Sequence, residues 1–148
     1  MFEWGGEIHV AINGPPIRSM SSPKTIQNMK TQRLFPIPGA VIDLELVDRT
    51  MERKEKNWAP FGPSEAGGYL FSRTVDPHEV VDCGRNGSCT VAASSNATSF
   101  FARLKRIHNL KALHLGTNGI LLPQKRWHIG IFHGVTDTAA RTYLNFVG

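Results

Sequence analysis

Polar and apolar side chains alternate with a period of two over Glu7-Ile8-His9-Val10-Ala11-Ile12, and Asn13-Gly14-Pro15-Pro16 ends the run. This pattern predicts a half-buried strand entering a turn. Ser22-Pro23 offers a helix cap with proline in the first turn, and Ile26, Met29 and Lys30 follow at helical spacing, so a short helix is expected from about Pro23 to Arg33. Pro36-Ile37-Pro38-Gly39 makes a stiff turn into residues 40–47, where alternating Ile42, Leu44 and Leu46 favour a strand. The mixed charges of residues 48–56 read as a solvated connection. Residues 57–68, rich in Gly and Pro, read as an irregular loop tied down by Trp58 and Phe61. Gly68 to Val75 is the next expected strand, closed by Asp76-Pro77, and Val80–Cys83 with Ser88–Ala92 flank Asn86-Gly87 as a hairpin.

The period changes after Ser99. Phe100, Leu104, Ile107 and Leu110 or His114 recur on one flank, widened by Phe101 and Leu113, while Arg103, Lys105, Arg106 and Lys111 take the rest. An amphipathic basic helix is expected from Ser99 to Leu115, with Gly116 as its terminator. Ile120–Leu122, Arg126–His133 and Arg141–Val147 follow as strands. This order predicts one domain over residues 1–148. Its class is α+β, an antiparallel sheet with a short N-terminal helix and one longer basic helix; a mainly β sandwich is the alternative.

Composition supports a folded chain. Apolar residues make up 41% and charged residues 20%, outside the range of disordered sequences, and 148 residues can bury roughly 70% of their unfolded surface. No run is apolar enough to span a bilayer, and the N-terminus lacks a secretory pattern, so a cytoplasmic protein is expected, peripheral at a membrane or in a virion. The net charge of +5 is uneven, because Cys83 to Thr136 contains no Asp or Glu. Arg103, Lys105, Arg106, Lys111, Lys125 and Arg126 are therefore the expected contacts for phosphate or headgroup oxygens, and the expected partner is an anionic lipid surface, RNA or a ribonucleoprotein. Interleaved aromatics such as Trp127 suit such a surface. Phe100 and Phe101, on the apolar face, are expected in the core.

Catalytic patterns do not assemble. Ser88 and Ser99 lack a G-x-S-x-G context, phosphate-binding glycine loops do not precede a helix, and His128 and His133 fall on opposite faces of a strand. No enzyme activity, metal or cofactor is expected. Cys83 and Cys89 depend on the loop between them. A two-residue Asn86-Gly87 turn sets Cys83 opposite Thr90, whereas a loop of Arg85 to Gly87 sets the cysteines opposite each other, close enough to bridge. Without a secretion signal, a reduced pair is expected.

Two stretches resemble the conserved-domain ends of rhabdovirus matrix proteins. The first is Gly6 to Ile12 with Pro16-Ile17-Arg18-Ser19-Met20-Ser21 and the short helix behind it; the second is Arg126 to Gly134 with the final strand. The usual basic N-terminal arm and a Pro-Pro-x-Tyr motif are absent. The resemblance implies an α+β domain that self-associates, coats a ribonucleoprotein and contacts anionic membrane. A second resemblance, carried by Pro38 to Leu44 and Ser64 to Phe71, is to transthyretin-like or carboxypeptidase-regulatory sandwiches.

Overall fold

A computed structural model describes residues 1–13, 17–18, 25–26, 29–47, 57–122, 127–136 and 143–147. Along the chain these form β1 (Phe2–Trp4), β2 (Glu7–Asn13), β3 (Ile17–Arg18), β4 (Thr25–Ile26), β5 (Met29–Phe35), β6 (Val41–Asp43), β7 (Glu45–Leu46), β8 (Ala59–Pro63), β9 (Tyr69–Val75), β10 (His78–Cys83) and β11 (Ser88–Ser95). One helix, α1 (Thr98–Ile107), precedes β12 (Leu110–Leu115), β13 (Ile120–Leu122), β14 (Trp127–Ile129), β15 (Ile131–Thr136) and β16 (Tyr143–Val147). The described chain is thus mostly β with a single helix, and the sandwich alternative fits it better than the α+β expectation.

The sheets are ordered β1-β2-β5-β6, β7-β11-β10-β9-β8 and β12-β15-β16, with two small pairs, β13-β14 and β3-β4. Every pairing is antiparallel except β7 with β11. The main core joins the first two sheets. Phe2, Trp4 and Met29 from one meet Tyr69, Phe71, Val81, Cys83 and Cys89 from the other, with Leu44, Leu46 and Trp58. Phe2/Trp4, Tyr69/Phe71 and Val81/Cys83 are each two residues apart, which on a strand aims both members at one face.

Four sequence expectations change. Met29–Phe35 is a strand rather than the end of a Pro23–Arg33 helix; the expected cap, Ser22-Pro23, lies outside the described residues. Met29 and Thr31 alternate as buried positions against β2 and β6, and this pairing outweighs the helix-forming Lys30 and Gln32 that follow them in turn. The extended segment 41–46 divides at fully buried Leu44, so β6 joins the first sheet and β7 the second. Ala59–Pro63, expected as loop, is a strand at the edge of its sheet, where Pro60 and Pro63 need not donate to a further neighbour. Finally, Arg126–His133 breaks at Gly130 into β14 and β15, which belong to different sheets.

The cysteine pair is also corrected, and by a geometry that the sequence allowed. Gly84 N–H donates to Ser88 O at 2.9 Å and Gly87 N–H to Gly84 O at 2.9 Å, closing a loop of Arg85 to Gly87. Gly87 takes φ +88, the left-handed conformation such a loop needs, and a Cβ there would lie 2.0 Å from Asp43 O. Cys83 therefore faces Cys89 in register, and a disulfide joins them rather than leaving a reduced pair. Replacing both cysteines by alanine is expected to lower stability by about 2 kcal/mol, mainly through the freed unfolded chain. Urea melts of the variant, and of the wild type with and without reductant, check this.

Candidate functional site

Helix α1 has the most distinctive surface. Asn96 Oδ1 accepts the Thr98 N–H at 3.1 Å, turning the chain into the helix, and Lys105 and Arg106 in the last turn complement its dipole. The helix ends eight residues earlier than Gly116 would dictate, with His108 as its cap. The next residue, Asn109, has φ 50, a left-handed conformation that asparagine tolerates better than most residues. Leu110 is then free to start β12, which pairs with β15. Leu110, Leu113 and His114 are thus strand residues, and Lys111 belongs to β12 instead of the helix.

One side of α1 is anchored. Phe101 is buried against Phe132 and Val75, with Leu104 packed beside them. Lys105 Nζ lies 2.7 Å from Asp76 Oδ2, so this expected phosphate contact is already ion-paired inside the fold. The other side faces solvent. Arg103 and Arg106 are exposed, and so, against expectation, are Phe100 at 58% and Ile107 at 60%. Phe100, Arg103 and Ile107 stand at i, i+3 and i+7, which places them on one face of the helix. Periodicity put Phe100 and Ile107 on the apolar flank, but of the part of that flank within α1 it is Phe101 and Leu104 that pack against the core.

The structure thus brings Arg103 and Arg106 together, turns Lys105 inward and sets exposed Lys111 on a strand. Lys125 and Arg126 lie outside the described residues, between β13 and β14 in sequence. The register partners Ile120 and Ile129 on those strands are exposed apolar residues as well.

Arg85, also within the acid-free run, is ion-paired although half of its side chain is exposed. Its guanidinium donates to Glu7 Oε2 at 2.6 Å and to Trp4 O at 3.2 Å, and lies 5.2 Å from the centre of the Trp4 ring. Glu7 Oε1 accepts from Arg33 at 2.6 Å. These hydrogen bonds, from Arg33 first and then Arg85, hold the Glu7 carboxyl down at about 2, against an ordinary value of 4.5. Beside them, burial depresses the pKa of His9, only partly offset by Glu7 at 3.5 Å. The cluster ties the first sheet to the β10–β11 hairpin, which identifies it as structural.

Ser88 and Ser99 are both exposed. A different serine has a histidine partner: Ser72 Oγ lies 2.8 Å from His78 Nε2, across the turn between β9 and β10. No sequence motif marks this pair, because the turn and its register bring it together. His128 stacks on Phe61 with ring centres 3.8 Å apart, whereas His133 lies beside His114 in the three-stranded sheet. Among the described residues no three His, Cys, Asp or Glu side chains are grouped to hold a metal ion, and no helix is long and apolar enough to cross a membrane. No family model, curated protein or solved structure matches the chain.

Proposed function

We propose that the protein is a non-enzymatic structural protein of viral-matrix type that docks on anionic membrane through α1 and self-associates there. The observation that carries this reading is the exposure of Phe100 and Ile107 on the same helix face as Arg103. Arginine side chains alone would serve any polyphosphate. Apolar side chains beside them gain free energy only when the partner has a hydrophobic layer just beneath its charge, as a lipid headgroup region does. Phe100 could stack on a nucleobase, but Ile107 has no such use, which favours lipid over RNA.

In this reading Arg103 and Arg106 contact headgroup phosphates while Phe100 and Ile107 enter the boundary below them. Lys111, Lys125 and Arg126 add long-range attraction, and Lys105 positions the helix through Asp76. Self-association rests on the two stretches that resemble matrix proteins, although β5 replaces the short helix expected behind the first.

Flotation with phosphatidylserine-containing vesicles at low salt tests the reading. Wild-type protein is expected to float, and Arg103→Ala with Arg106→Ala to weaken partitioning about 30-fold, from about 1 kcal/mol per basic residue. Phe100→Ser with Ile107→Ser should also weaken it, and sedimentation velocity should show oligomers growing with concentration. Failure of wild-type protein to float sinks the proposal, and RNA binding without vesicle binding replaces it with a nucleic-acid-binding protein.

A further inference from the structure

A cavity of about 250 Å³ lies where the five-stranded sheet, the three-stranded sheet and the start of α1 meet. Its walls include Phe61, Phe101 and Phe132, with Val75, Leu115 and Ile131 between them. Among the described residues no Lys, Arg, Asp or Glu lines it. The polar lining includes Ser72 and His78, whose Oγ and Nε2 are 2.8 Å apart, with Ser95 opposite His78 in the strand register. Burial disfavours the protonated imidazole of His78 and lowers its pKa.

Each feature narrows the ligand. An apolar cavity of about 150 Å³ takes up a single benzene ring, so this larger one suits two fused rings. Aromatic walls favour a flat aromatic body over a flexible chain. A charged ligand would find no carboxylate, ammonium or guanidinium among the described lining residues and would lose its hydration. The Ser72–His78 pair then sets the polar end. If Ser72 donates to His78, its oxygen still accepts a hydrogen bond; if His78 donates to Ser72, the hydroxyl hydrogen is free to donate. A ligand hydroxyl, which both donates and accepts, satisfies the pair in either tautomer.

We infer that this cavity binds a small, uncharged aromatic alcohol, with its ring system between Phe61, Phe101 and Phe132 and its hydroxyl on the Ser72–His78 pair. The site is separate from the exposed face of α1 and does not depend on membrane binding. Calorimetric titration with 1-naphthol tests it, using naphthalene, which can neither donate nor accept, and charged 1-naphthoate as comparisons.

The wild type should bind 1-naphthol, bind naphthalene about five-fold more weakly, and bind 1-naphthoate at least about ten-fold more weakly. Ser72→Ala should weaken 1-naphthol about five-fold and remove its advantage over naphthalene. Ser95→Phe, at an exposed strand position, should fill the cavity and abolish binding while near-ultraviolet circular dichroism stays native. Absence of 1-naphthol binding to wild type, equal binding of 1-naphthoate, or unchanged affinity in either variant would overturn the inference.

Discussion

Replacing Phe71 by alanine is expected to lower folding stability by about 4 kcal/mol, a large share of what a domain of this size has to lose. The side chain is fully buried in β9, at the middle of the core shared by the two largest sheets. Its ring meets Phe2 edge-on at 5.5 Å, Tyr69 at 5.6 Å and Trp58 at 6.3 Å between centres. Truncation removes the transfer energy of the ring and leaves a void that neighbours on two separate sheets cannot both close. Phe71→Leu, which keeps most of the volume, should cost less than half as much. Urea denaturation measures both. A loss below about 1 kcal/mol for the alanine variant would mean that the two sheets do not share this core.

The core strands were the most legible part of the fold, because alternation reports a buried face directly. Residues 7–12, 69–75 and the hairpin around Asn86-Gly87 all follow from local pattern. The failures share a physical origin, since in each a distant pairing overrides a local preference. Met29–Phe35 carries helix-forming Lys and Gln, yet β2 and β6 on its two sides make it a strand. Residues 110–115 continue the helical spacing of α1, yet β15 claims them once Asn109 turns the chain. The disulfide turned on a single residue of loop length, which sequence could state but not choose. At the candidate site, charge singled out Arg103 and Arg106, which stand exposed on α1. It could not reveal that Lys105 and Arg85 already have internal carboxylates, or that Phe100 and Ile107 are exposed.

The second large effect concerns an ion pair that composition could not locate. Arg73 on β9 and Glu79 on β10 meet as a salt bridge with both side chains more than nine-tenths buried. The pairing of β9 with β10 shifts register between Glu79 and Val80, from Thr74 to Ser72, which leaves Arg73 as the extra residue of a bulge. The bulge gives the guanidinium a position of its own beside the carboxylate. Glu79→Ala should therefore cost about 4 kcal/mol, because it takes the carboxylate away from a guanidinium that is more than nine-tenths buried. Arg73→Met combined with Glu79→Leu removes both charges and keeps the volume, so it should recover most of that loss. Thermal and urea melts of the single and double variants give the coupling between the two sites. A double variant no more stable than Glu79→Ala would show that the cost arises from packing, not from the buried charge.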